Sequence, residues 1–132
     1  MEKGKIRVLF VVAAIFNWVV GLGLFFIPGF FLSVFGITPL PEQSLWVQLF
    51  ASLVFFFGIA YYQASVDFLR HRNIIKLAVW AKTGVLLIGL MNVVNGDVSW
   101  QFLIPASADG IFAVLFLMAL NSEAGHPTGP NS

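Results

Sequence analysis

Hydrophobic side chains run along this chain in four long blocks, near Val8 to Ile27, Leu45 to Ala64, Ile74 to Val94 and Trp100 to Leu120. Each is close to the ~20 residues that a helix rising ~1.5 Å per residue needs to cross ~30 Å of hydrocarbon. Within the blocks the apolar runs are continuous, without the period-two alternation of strands that face lipid on one side and a lumen on the other, so a transmembrane β-barrel is excluded. The pattern predicts an all-α fold, a bundle of four transmembrane helices forming a single domain over residues 1–121, with 122–132 as a disordered cytoplasmic tail rich in Gly, Pro, His and Asn.

The connections refine this picture. The turns around Arg70-His71-Arg72-Asn73 and Asn95-Gly96-Asp97 are too short to reach anything but an antiparallel neighbour, which predicts a sequential up-down bundle. Pro28 to Ile37 is apolar nearly all round; it either prolongs the first helix beyond a Pro kink or lies along the interface, and the interfacial reading is preferred. Lys3, Lys5 and Arg7 precede the first block and Arg70, Arg72 and Lys76 surround the second turn, whereas the other two connections carry only Glu42 and Asp97 as charges. Basic residues stay on the cytoplasmic side, so both termini are expected in the cytoplasm, with the first block a retained signal anchor. Trp46 and Trp100 then fall near the outer interface, and Tyr61 and Tyr62 near the inner one.

Polar residues inside the blocks hold the candidate chemistry. Ala78, Lys82, Val85, Gly89, Asn92 and Gly96 follow spacings of four and three and so form one stripe of the third helix; Pro105, Asp109, Phe112 and Phe116 do the same on the fourth, and Phe10, Ala14, Asn17, Gly21 and Leu24 on the first. Small residues permit close approach and polar ones need protein partners, so these stripes are expected to face inward. Counted from the cytoplasmic ends, Asn17 lies about 15 Å deep, Lys82 about 12 Å and Asp109 about 16 Å. An isolated charge at such a depth costs roughly 2.5 to 3.5 kcal/mol, which predicts an ion pair between Lys82 and Asp109 with Asn17 as a hydrogen-bonding neighbour. Two readings of this pair stay open. It is either an assembly clip between two helices, or part of a ligand-binding or proton-binding cavity whose wall includes Gln63, Tyr62 or Asn92. The ladder Ala13, Asn17, Gly21 fits packing within the bundle better than dimerisation.

Composition supports the membrane reading and narrows function by exclusion. Of 132 residues 59% are hydrophobic and 10% charged, against about 25% charged in soluble domains. The net charge of +1 offers no broad basic field for nucleic acid. Cysteine is absent, and the two histidines, His71 and His126, fall in a turn and in the tail, so disulfide chemistry, haem and di-iron sites are not expected. No hydrolase motif occurs, and Asp109 is the sole acid deep in a block, which leaves no aspartyl dyad within one chain. No metal and no resident cofactor are expected.

The segments Asn17-Trp-Val-Val-Gly-Leu-Gly23, Pro28-Gly-Phe-Phe31 and Phe35-Gly36, together with Lys82 and Asp109 in the last two blocks, make the chain resemble the DoxX-like small four-helix membrane proteins of bacteria over roughly Ile6 to Leu120. The resemblance implies a bacterial inner-membrane protein, and links some relatives to thiosulfate and quinone oxidation, but it assigns no catalytic residue. The leading expectation is a non-enzymatic accessory subunit or a binder of a lipid or other lipophile, working in the bilayer alone, as a homo-oligomer or with a membrane or soluble protein partner. The alternatives are a dimeric proton-coupled transporter of small molecules and a quinone-binding subunit of an oxidoreductase.

Overall fold

The computed structural model describes residues 1–127 and contains five α-helices and, among the described residues, no strand. Helix α1 spans Lys3–Phe26, α2 Pro28–Val34, α3 Ser44–Val66, α4 Arg72–Val94 and α5 Leu103–Asn121. Four of them, α1, α3, α4 and α5, are long and apolar enough to cross a membrane. The chain is thus an all-α four-helix bundle, and its architecture is that of a multi-pass membrane protein. Its surface agrees: Trp80 is 78% exposed and Val94 82%, values that water would penalise and lipid does not.

Local chemistry sets the boundaries. Pro28 disfavours helical backbone at the residue before it, and Ile27 accordingly leaves the helix (φ −131°, ψ 58°) while Pro28 opens α2. The segment after Pro28 is therefore a separate short helix. It does not prolong α1 but folds back on it, with Phe31 over Gly23 and Leu32 buried beside Leu24 and Ala51. Gly36 (φ +78°) turns the chain away, and its carbonyl accepts from the Ser99 amide at 3.4 Å, which ties this cap to the connection between α4 and α5.

The bundle is built from two hairpins. Helix α1 packs along α3 and α4 along α5, whereas α3 scarcely touches α4 and α1 scarcely touches α5. Small residues allow the close approaches: a methyl group on Gly21 would stand 3.0 Å from the Phe55 amide nitrogen, and Gly58 lies under Trp18 and the Ala14 carbonyl. Ala13, Asn17 and Gly21 are all buried, so the ladder they form is consumed inside the chain.

The two hairpins meet at one end. There Phe10, Tyr61, Phe68 and Phe116 interlock, with Phe10 stacked on Phe116 at 4.7 Å between ring centroids, and Ala13, Ala14, Ala64, Ala78 and Ala119 leave room for them. Arg72 closes the same end by donating to the carbonyls of Leu120, at 3.0 Å, and Gly125. Residues Glu123–Gly125 form a 3-10 turn capped by the Ser122 hydroxyl. The tail expected from Ser122 onward thus begins as a turn packed on the bundle; its remainder, 128–132, lies outside the described residues.

Candidate functional site

Beyond the aromatic core the hairpins part and enclose a cavity of about 540 Å³. Phe16, Val20 and Leu24 of α1, Val54 and Phe57 of α3, and Pro105 and Ala106 of α5 form its walls. Leu32, Phe35 and Ile37 of the α2 segment cover the end away from the core. Trp46, Phe50 and Leu53 also line it, yet they remain 66%, 49% and 61% exposed, and Ala81 across from them on α4 is exposed as well. The cavity therefore opens sideways, between α3 and α4, where these two helices do not pack. On the other side, Phe16 of α1 meets Phe112 of α5 with ring centroids 5.3 Å apart.

Four residues with polar side chains interrupt this apolar wall: Asn17, Tyr61, Lys82 and Asp109. The Lys82 ammonium donates to Asp109 Oδ1 at 2.6 Å, the ion pair expected from matched depth. Its side chain is 7% exposed and that of Asp109 19%, so the carboxylate is the more accessible partner. Three rings surround the ammonium, Phe112 at 5.2 Å from ring centroid to Nζ, Tyr61 at 5.4 Å and Phe16 at 5.8 Å. Ring faces carry negative quadrupole density and so replace part of the hydration that the cation forfeits on burial. The pair spans α4 and α5, the two helices of one hairpin, and a charge so placed needs its partner to remain in an apolar site.

Asn17 lines the same cavity but bonds elsewhere: its Nδ2 donates to the Val54 carbonyl at 3.0 Å, joining α1 to α3. The remaining candidates do not come to the cavity. Tyr62 and Gln63 are exposed on the outer side of α3, and Asn92 donates at 2.8 Å to Ile88 of its own helix. Tyr61 takes the role expected of Tyr62. Instead of sitting at an interface it is 1% exposed, between the ion pair and the aromatic core. The sequence does carry a signal for this, since Ala51, Val54, Gly58, Tyr61 and Ser65 recur at spacings of three and four, and this stripe puts Tyr61 inward and Tyr62 outward. Phe112 lies on the inward stripe that it shares with Asp109, whereas Phe16 gains its place beside Lys82 from the meeting of α1 and α5, which no spacing within one helix encodes.

In comparisons with known proteins, no family model, curated protein or solved structure matches the chain. Geometry alone therefore carries the functional reading.

Proposed function

We propose that this chain is a non-enzymatic protein of the bacterial inner membrane that holds a lipophilic molecule in the cavity between its two hairpins. The carrying observation is that cavity: about 540 Å³, within the ~300–1,000 Å³ of small-molecule sites, walled almost wholly by apolar side chains and open sideways at the depth of the acyl chains. An apolar ligand could enter from the bilayer without passing through water. A DoxX-like arrangement is compatible with this reading, and a quinone is one ligand of suitable size.

The proposed orientation has both termini in the cytoplasm. Lys3 and Arg7 lie beside Asp67 and Leu69 at the core end, and Arg72 closes that same end, whereas the connections at the other end carry only Glu42 and Asp97. The core also argues against the transporter reading, because Phe10, Tyr61, Phe68 and Phe116 fill the space between the cavity and that end and leave a pocket with an entrance but no second exit.

Native mass spectrometry of the protein extracted gently from its own membrane tests the proposal. The expected result is a defined lipophilic mass on the wild-type chain that is lost from Val85→Trp, since Val85 lines the cavity from α4 and an indole there would fill it. A wild-type chain free of any such mass, or an adduct that survives in Val85→Trp, would overturn it and leave the accessory-subunit reading.

A further inference from the structure

The ion pair constrains what kind of molecule the cavity can hold. Lys82 lies about 15 Å along α4 from its Arg72 end, and Asp109 about 18 Å along α5 from its Asn121 end, near the middle of each span. The window at Trp46, Phe50 and Leu53 runs from the beginning of α3 to its middle. A ligand that reaches the pair must therefore bring its head through hydrocarbon, where a bare charge is costly. At the end of that path stand one ammonium and one carboxylate 2.6 Å apart, a site with no net charge to compensate a charged head.

The two partners are not equivalent towards the cavity. The ammonium is taken up by Asp109 Oδ1 and three rings, and little of it is exposed. The carboxylate is engaged through one oxygen only, is the more exposed of the two, and is an acceptor with room for more than one donor. In a cavity walled almost wholly by hydrocarbon, its unused acceptor capacity is the strongest polar feature that a ligand's donor can satisfy, with the neutral Tyr61 hydroxyl and Asn17 amide as the weaker polar groups of the same wall. Neither Asn17 nor Tyr61 hydrogen-bonds to it: Asn17 donates to the Val54 carbonyl, and the bond that Asp109 accepts comes from Lys82.

Resting on the lipophile-binding reading, we propose that the cavity takes an uncharged lipid alcohol, a long-chain or isoprenoid alcohol or an acylglycerol, whose hydroxyl donates a hydrogen bond to Asp109 while its chain extends along Phe57, Phe50 and Trp46 towards the lateral window. A quinone, which only accepts, would leave the carboxylate unsatisfied. A phospholipid would keep its head at the window's outer edge and never reach the pair.

The test uses delipidated full-length protein in detergent and four probes sharing one long alkyl chain and differing only in the head: hydroxyl, methyl ether, carboxylate and trimethylammonium. Titration by native mass spectrometry is expected to show the alcohol binding at least about tenfold more tightly than its ether, since hydrogen bonds to charged groups contribute about that factor. The two ionic probes are expected to bind more weakly than the alcohol. In the double variant Lys82→Met/Asp109→Leu, which replaces the pair by apolar groups, alcohol and ether should bind alike; should that variant fail to fold, the alcohol-to-ether ratio of the wild type decides alone. Equal binding of alcohol and ether to the wild type, both lost in Val85→Trp, would overturn the head recognition while the cavity reading stands. Tightest binding of the carboxylate, the trimethylammonium probe or added phosphatidylcholine would overturn it in favour of a charged ligand, and absence of all binding would overturn both readings together.

Discussion

The same four long helices make a sealed end and an open end, and the contrast between them shows what closes a bundle in lipid. Acyl chains are as apolar as leucine, so hydrophobicity gives the helices no reason to associate, and packing must do so. At the sealed end alanines alternate with large rings: Ala13, Ala14, Ala64, Ala78 and Ala119 make the recesses that Phe10, Tyr61, Phe68 and Phe116 fill. At the open end α3 presents Trp46, Phe50, Leu53 and Phe57, while α4 presents Ala81 and Val85 across a gap that neither set fills. The rings of α3 meet no interlocking side chain there, so the hairpins stay apart, and the α2 cap covers the end of the resulting gap but not its side.

The sharpest way to break the comparison is to make the same cut at both ends. Phe10 is fully buried, and Phe10→Ala is expected to destabilise the protein by roughly 3 kcal/mol, because it opens a void between the hairpins and removes the ring that stacks on Phe116. Phe50, 49% exposed at the window, already faces space that lipid or ligand fills, and Phe50→Ala should cost under about 1 kcal/mol. Unfolding titrations in mixed micelles check both; equal losses would mean that the open end is as tightly packed as the sealed one.

The ion pair stands at the boundary between the two ends and sharpens the comparison next. Lys82→Met leaves the half-buried Asp109 in an apolar site without its counter-charge and should cost about 3 kcal/mol, whereas Lys82→Met with Asp109→Leu removes both charges and should recover most of that loss. Strictly additive losses in this double-mutant cycle would show that the two side chains do not support each other.

How much of this is legible in the sequence follows from what each feature depends on. Helix number and the long blocks depend on apolar runs of the right length, a local property, and the structure has them at the expected places. The Lys82 and Asp109 pair depends on two depths, which residue counting supplies. The separate helix at Pro28 follows from the backbone restriction that proline imposes on Ile27, which decides between continuation of α1 and a new segment. Depth without angle brings Tyr62, Gln63 and Asn92 to the cavity; a stripe drawn through Ala51, Gly58 and Ser65 turns Tyr61 inward instead. The cavity itself is not legible, because a gap depends on how the faces of two different hairpins meet.

The smallest effect is expected at Asn17, where the two functions of the wall can be separated. Its amide donates to the Val54 carbonyl, which sits inside α3 and already accepts from that helix, so removing the amide orphans no acceptor. Interhelical hydrogen bonds of this kind contribute on average about 0.6 kcal/mol in membrane proteins, and Asn17→Ala should lower stability by about that much. Because Asn17 also lines the cavity but bonds to α3 and not to Asp109, the same variant should leave the preference for an alcohol over its ether unchanged. A loss of that preference with stability intact would place Asn17 beside Asp109 in holding the ligand's head. A loss of several kcal/mol would instead make the contact between α1 and α3, and not the aromatic core, the element on which the sealed end depends.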